Sequence, residues 1–147
     1  MKLSTKGRYG LRALIDLAIH SQKAPVSLNS ISQRQYISER YLEQLMAKLK
    51  KEGLVKSVRG AGGGYLLGRD PKEISVGDVL RALEGDLSLV DCAAYQEAGS
   101  CRISESCITK YVWSQINDSI NRTVNGITLD TLMEQSANGE VKEKENE

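Results

Sequence analysis

Three cysteines, Cys92, Cys101 and Cys107, are the only thiols in this 147-residue chain, and they stand close together as C-x8-C-x5-C. A disulfide would pair two of them and leave one over. The opening residues, Met1-Lys2-Leu3-Ser4-Thr5-Lys6-Gly7-Arg8, are polar and basic and lead into no signal-peptide core. A cytoplasmic, thiol-reducing setting is therefore expected, where disulfides are rare. Zinc sites usually carry C-x2-C pairs whose short bite suits a tetrahedral ion, and this chain has none. Longer loops between thiolates suit a larger object such as an iron–sulfur cluster. On spacing alone a cluster stands ahead of zinc and of redox-active thiols, and all three readings remain open.

The elements that must position these thiols differ sharply in charge. Residues 1–72 hold 14 Lys and Arg against 5 Asp and Glu, whereas residues 73–147 hold 6 against 14, so a net charge of +1 conceals a front of +9 and a rear of −8. Such asymmetry points to a polyanion partner for the front. Charge alone does not separate that from an ordinary solvated basic surface, and the hydrophobic pattern has to decide.

Within 9–20, Leu11, Leu14, Ile15 and Ala18 fall on one helical face. Ser27 is placed to cap a short helix through Gln35 with Leu28 and Ile31 turned inward, and after a tight link Ser38 is a second N-cap candidate. The helix it opens carries Leu42, Leu45, Met46 and Leu49 at i, i+3, i+4 and i+7, and Gly53 is placed to end it. On the opposite face lie Arg40, Gln44, Ala47 and Lys51, flanked by Glu43 and Lys48. Two short helices with a tight turn, the second displaying Arg, Gln and Lys, form a helix-turn-helix pattern; the blander alternative is a helix pair packed on a small core.

Two β-prone runs, 54–58 and 65–67, follow directly, joined by Arg59-Gly60-Ala61-Gly62-Gly63-Gly64. A hairpin in that place turns the motif into a winged helix, with a glycine tip that admits close approach to a groove wall and Arg59 supplying a charged planar fork. A nucleotide-binding loop is excluded by context, because such loops open a helix and here a strand follows. Ser75 and Asp78 form a capping box for Val76, Val79, Leu80 and Leu83, a helix closing at Gly85. Residues 86–103 lose periodicity. From about 104 a long helix carries Ile108, Val112, Ile116, Ile120 and Val124 every fourth residue. An apolar stripe of that length needs a cover, and a second copy of the same helix is the natural one, its two-fold symmetry matching two DNA half-sites; packing back on its own domain is the alternative. The end of the chain is polar. No run approaches the ~20 apolar residues of a membrane span.

The expected fold is mainly α with a small β-hairpin. Residues 1–85 make a winged helix-turn-helix domain, 86–107 a cysteine-bearing loop, 104–135 a dimerisation helix with a short following helix, and 136–147 a disordered acidic tail.

Residues 1–9, 41–45 and 54–68 resemble the Rrf-two family of winged-helix regulators. The cysteine trio, with Cys107-Ile108-Thr109-Lys110-Tyr111-Val112-Trp113, resembles the branch of that family that binds an iron–sulfur cluster. The likeness covers roughly residues 1–135. It implies a homodimeric regulator of transcription, not an enzyme, whose cluster occupancy sets which promoters it binds, those of cluster-assembly genes among them. The implied ligands are Cys92, Cys101 and Cys107, with a 2Fe-2S cluster favoured and 4Fe-4S the alternative. The implied DNA-binding set is Ser38, Glu39, Arg40, Tyr41, Glu43, Gln44, Ser57, Arg59 and Gly60, acting on a double-stranded operator. Arg suits guanine and Gln suits adenine, while the Glu43 carboxylate tolerates only sequences that offer it a donor. The chain departs from the branch in one respect: Lys110 stands where the branch has a histidine, and a normally protonated lysine is a poor iron ligand. His20, the only histidine, falls at the end of the first helical segment, and Arg8 stands where nitric-oxide-sensing relatives carry an acid. Asp91, Glu105, a residue of a second copy or an exogenous thiol are the candidates for the fourth ligand. An electron-transfer protein would share the cysteines but has no need of a +9 winged-helix half.

Overall fold

The computed structural model describes residues 2–90 and 106–145. Six helices and one hairpin follow in order: α1 (Thr5–His20), α2 (Leu28–Gln35), α3 (Glu39–Lys51), β1 (Val55–Val58), β2 (Gly64–Leu67), α4 (Val76–Glu84), α5 (Ile108–Gly126) and α6 (Leu129–Glu145). The chain is thus mainly helical with one small antiparallel hairpin, as expected.

Serine hydroxyls set the helix starts. Ser27 accepts from Ser30 N, Ser38 from Tyr41 N, and Ser75 and Asp78 close a reciprocal capping box on α4, each satisfying a backbone N–H that the first turn leaves without a partner. The start of α1 is capped twice. Ser4 accepts from Lys6 N, and the Glu84 carboxylate at the far end of α4 accepts from Ser4 N at 3.0 Å and Gly7 N at 2.9 Å. Those bonds hold the Glu84 carboxyl below its usual range, the Ser4 hydroxyl contributing most. The two helices approach so closely that a Cβ on Gly10 would lie 2.2 Å from Leu83 Cδ1.

One core joins α1, α2, α3, the hairpin and α4. Leu42, Leu45, Met46 and Leu49 of α3 are each no more than 1% exposed, as their spacing predicts. In α1 the buried line is rotated from the expected one: Ala13, Leu14, Leu17 and Ala18 are buried, while Leu11 and Ile15 are only half-buried. A helix wedged between several neighbours buries more than one stripe, and alanine is inconspicuous in a pattern search. Beneath α1, the nearly inaccessible Asp16 accepts three hydrogen bonds from Arg34 (Nη2 to Oδ1 2.7 Å, Nε to Oδ2 2.9 Å and to Oδ1 3.2 Å) and one from Gln35 Nε2 at 2.9 Å. Fully paired, this carboxylate clamps the end of α2 to α1 and so fixes where α3 begins; the same bonds raise the Arg34 pKa.

Antiparallel pairing aligns Val55 with Leu67 and Val58 with Gly64. A third short strand segment joins at Val26, whose backbone exchanges hydrogen bonds with Tyr65 at 3.0 and 2.8 Å. Helix α6, expected to be short and to give way to a disordered tail at 136, spans 17 residues to Glu145. Its first turns are anchored by the fully buried Leu129 and by Leu132 and Met133 against the core. The residues beyond are largely good helix formers, so elongation from that anchor adds turns at little cost. Among the described residues no helix is long and apolar enough to cross a membrane.

Candidate nucleic-acid interface

The helix-turn-helix is formed by α2 and α3, and its outer surface carries most of the residues singled out in the sequence. Ser38, Glu39, Arg40, Glu43 and Gln44 at the start of α3 are exposed, as are Ser57, Arg59 and Gly60 on the hairpin. The structure therefore brings the recognition-helix set and the wing set into one unit, with β1 following α3 after a three-residue turn. Lys50 stitches the two parts together by donating to Ser57 Oγ at 2.8 Å. Sequence reasoning left Lys50 out because it lies off the polar stripe on a helical wheel.

Two members of the set are already engaged within the chain. Tyr41 is half-buried, its hydroxyl 2.8 Å from Thr5 Oγ1 and its ring edge-on to Tyr9 at 6.2 Å. It therefore joins α3 to α1 and leaves only its outer edge exposed. The Glu39 carboxylate accepts from Asn29 Nδ2, which leaves Glu43 as the free carboxylate on this face. At the wing tip Gly63 N donates to Gly60 O at 2.9 Å, closing a turn in which Gly60 adopts φ +96° with open space around it. A Cβ at Gly63 would lie 2.3 Å from Val58 O, so the tip is built for bare backbone.

Of the three cysteines, Cys107 is described; Cys92 and Cys101, with Asp91 and Glu105, lie outside the described residues. Cys107 occupies the N-cap of α5, half-buried, with its Sγ 3.0 Å from Thr109 Oγ1. The Thr109 hydroxyl, then the Lys110 backbone N–H, hold its thiol below the usual range. A thiolate-prone sulfur at a helix start has the donor chemistry a metal ligand needs. His20 closes α1 with its Nδ1 2.9 Å from Asp16 O, consistent with a helix-end residue.

Two polar side chains of α5 tie it to the rest of the molecule. Asn121 Oδ1 accepts from Arg81 Nη2 of α4 at 2.8 Å. Asn117, only 5% exposed, accepts from Leu89 N at 3.1 Å and donates to Ser88 Oγ at 3.3 Å. The segment leading into the cysteine region is thus fastened to the helix that Cys107 begins. The other side of α5 carries large exposed apolar residues: Ile108, Tyr111, Val112 and Ile116 are 86%, 69%, 44% and 37% exposed.

The family model described as Rrf2, iron-dependent transcriptional regulator, matches residues 3–135. The HTH-type transcriptional regulator IscR of Pectobacterium atrosepticum is 47% identical over 133 residues, 90% of this chain and 79% of that protein. Among solved structures, CymR, the global cysteine regulator of B. subtilis, is 41% identical and superposes with a TM-score of 0.76, over 92% of this chain and 98% of its own. The T. potens IscR structure is 46% identical with a TM-score of 0.74, over 92% of this chain and 88% of its own. With the family model spanning nearly the whole described fold, this chain belongs to the Rrf2 family of transcriptional regulators.

Proposed function

We propose that this chain is a cytoplasmic, homodimeric DNA-binding regulator, most simply a repressor, that reports iron–sulfur cluster status to cluster-assembly genes. Cys92, Cys101 and Cys107 would hold the cluster, which supplies a redox- and iron-sensitive group at the base of α5. The observation that carries the reading is the position of Cys107, at the N-cap of a helix whose first three turns present apolar side chains to solvent. A ligand and a subunit contact on the same turns let occupancy of one bias the other.

In this mechanism the cations of the front half bind phosphates and position the dimer. Arg40 and Gln44 read base edges, while Glu43 rejects sites that place no donor opposite it. Ser57, Arg59 and Gly60 bring the wing backbone against the duplex. Asn117 transmits order in the cysteine segment to α5, and Arg81–Asn121 carries it on to α4 and the DNA-binding unit. Lys110 ligates nothing in this reading, so the fourth ligand comes from elsewhere.

An ultraviolet–visible spectrum of anaerobically purified protein tests the assignment. Brown protein with charge-transfer bands, bleached by Cys92→Ala, Cys101→Ala or Cys107→Ala, is the expected result. Colourless protein carrying one tightly bound zinc would defeat the cluster and leave the fold intact. A second reading, a cluster-free regulator responding to thiols, draws on the likeness to CymR and on the activated Cys107; it predicts colourless, metal-free protein whose DNA binding changes with thiol oxidation.

A further inference from the structure

Tyr36, in the turn between α2 and α3, is the one non-glycine residue with positive φ among the described residues. It caps α2 at φ +56° and ψ +46°, the left-handed region, and is 94% exposed. Helix ends in this conformation ordinarily carry glycine or asparagine, because a Cβ there crowds the backbone. A tyrosine so placed is held against its own preference, and its ring gains no burial in return.

The turn gives it no freedom to relax. Ser32 Oγ donates to Ile37 O at 2.6 Å, Arg12 Nη2 donates to Gln35 O, and Ile37 is buried at 5% exposure immediately after it. Both neighbours of Tyr36 are thus pinned, and the ring stands on a rigid platform. Its Cα lies within about 7 Å of that of Ser38, two residues on, where α3 starts. Side chains held in sparsely populated conformations cluster where a partner makes use of them.

Resting on the reading of α3 as the recognition helix, we propose that Tyr36 is a DNA-backbone contact, its ring lying along a sugar and its hydroxyl donating to a phosphate oxygen beside the half-site. The partner is identified by its chemistry. The surrounding half of the chain carries +9 and the exposed Arg40 is four residues away, so a polyanion collects here. A tyrosine, apolar on its faces and a donor at its tip, matches a sugar–phosphate strand. The contact is uncharged and sequence-independent: it strengthens binding to every duplex and releases no counterion.

The test measures fluorescence anisotropy with a random-sequence duplex of about 30 base pairs across a salt series, alongside thermal melts. Tyr36→Gly relieves the backbone and is expected to melt a few degrees above wild type. It is nonetheless expected to bind roughly 2- to 10-fold more weakly, with the slope of log affinity against log salt unchanged. Tyr36→Phe, which keeps ring and strain, should melt like wild type and lose about half an order of magnitude or less. Tyr36→Gly binding as tightly as wild type overturns the proposal while DNA binding stands. A Tyr36→Gly protein that sediments as a monomer also overturns it, assigning the ring to a subunit contact. Folded wild type that binds no duplex removes the regulator reading itself, and the proposal with it.

Discussion

Helices α3 and α5 are built on the same repeat, yet their apolar faces meet opposite fates. Leu42, Leu45, Met46 and Leu49 are buried to within 1% of complete, whereas Ile108, Tyr111, Val112 and Ile116 remain 37–86% exposed. The second half of α5 is covered, with Val124 packed beside Leu80 and Asn117 buried; only the half nearest Cys107 is bare. Amphipathic periodicity therefore specifies that a face must be covered, and the surrounding chain decides by what. For α3 the answer lies within the chain, which leaves its polar face exposed. For α5 no described residue of the chain supplies it, and the proposed cover is the matching stripe of a second copy.

Core truncation gives the largest contrast. Leu45→Ala should cost about 2–5 kcal/mol of unfolding free energy, read by denaturant titration, whereas Ile108→Ala should stay within about 0.5 kcal/mol for the isolated chain. Equal losses at the two sites would dissolve the distinction between the helices.

On the exposed face of α3 the effect moves from stability to recognition. Gln44→Ala should leave the melting temperature in place while relaxing base discrimination at one position per half-site by about 1–3 kcal/mol, measured by competition among operator variants. Arg59→Ala should instead weaken all duplexes alike and flatten the salt dependence.

Between the two regions sits Glu84, whose carboxylate caps α1 from the end of α4. Its folded pKa lies below the ordinary 4.5, so its contribution is present above that value and fades as pH falls through the folded one. Glu84→Gln should therefore melt lower than wild type at neutral pH, and the gap should narrow as pH falls below the ordinary 4.5. A gap independent of pH would assign the loss to packing.

Much of this was legible from sequence because the signals were local. Ser27, Ser38 and Ser75 announce their helices by cap chemistry, the α3 stripe by spacing, and the wing by glycines between two β-prone runs. What stayed hidden depends on neighbours distant in sequence. The burial of Ala13 and Leu17 follows from α1 being wedged among several neighbouring elements, and Asn117 is buried where its amide bonds Ser88 and Leu89. The left-handed backbone of Tyr36 follows from Arg12 and Ser32 pinning both sides of the turn. The exposed polar residues at the start of α3 were readable as such; the engagement of Tyr41 with Thr5 and Tyr9 was not, since it depends on how α1 crosses α3.

The smallest expected effect is at Lys110. Lys110→Ala should leave the visible spectrum and iron content of the anaerobic protein unchanged, because a charged ammonium has no lone pair to offer iron. A collapsed spectrum would make it a ligand.

Sedimentation of wild type beside Val112→Glu tests the central claim most directly. A carboxylate in the middle of the exposed stripe keeps access to solvent in the isolated chain, where Val112 is 44% exposed, but would be buried unpaired between two copies. Wild type should sediment at twice the 16.2 kDa chain mass, and Val112→Glu at the single mass with an unchanged circular dichroism spectrum and lost affinity for DNA. A monomeric wild type, or a Val112→Glu protein that stays dimeric and binds DNA normally, would contradict the account.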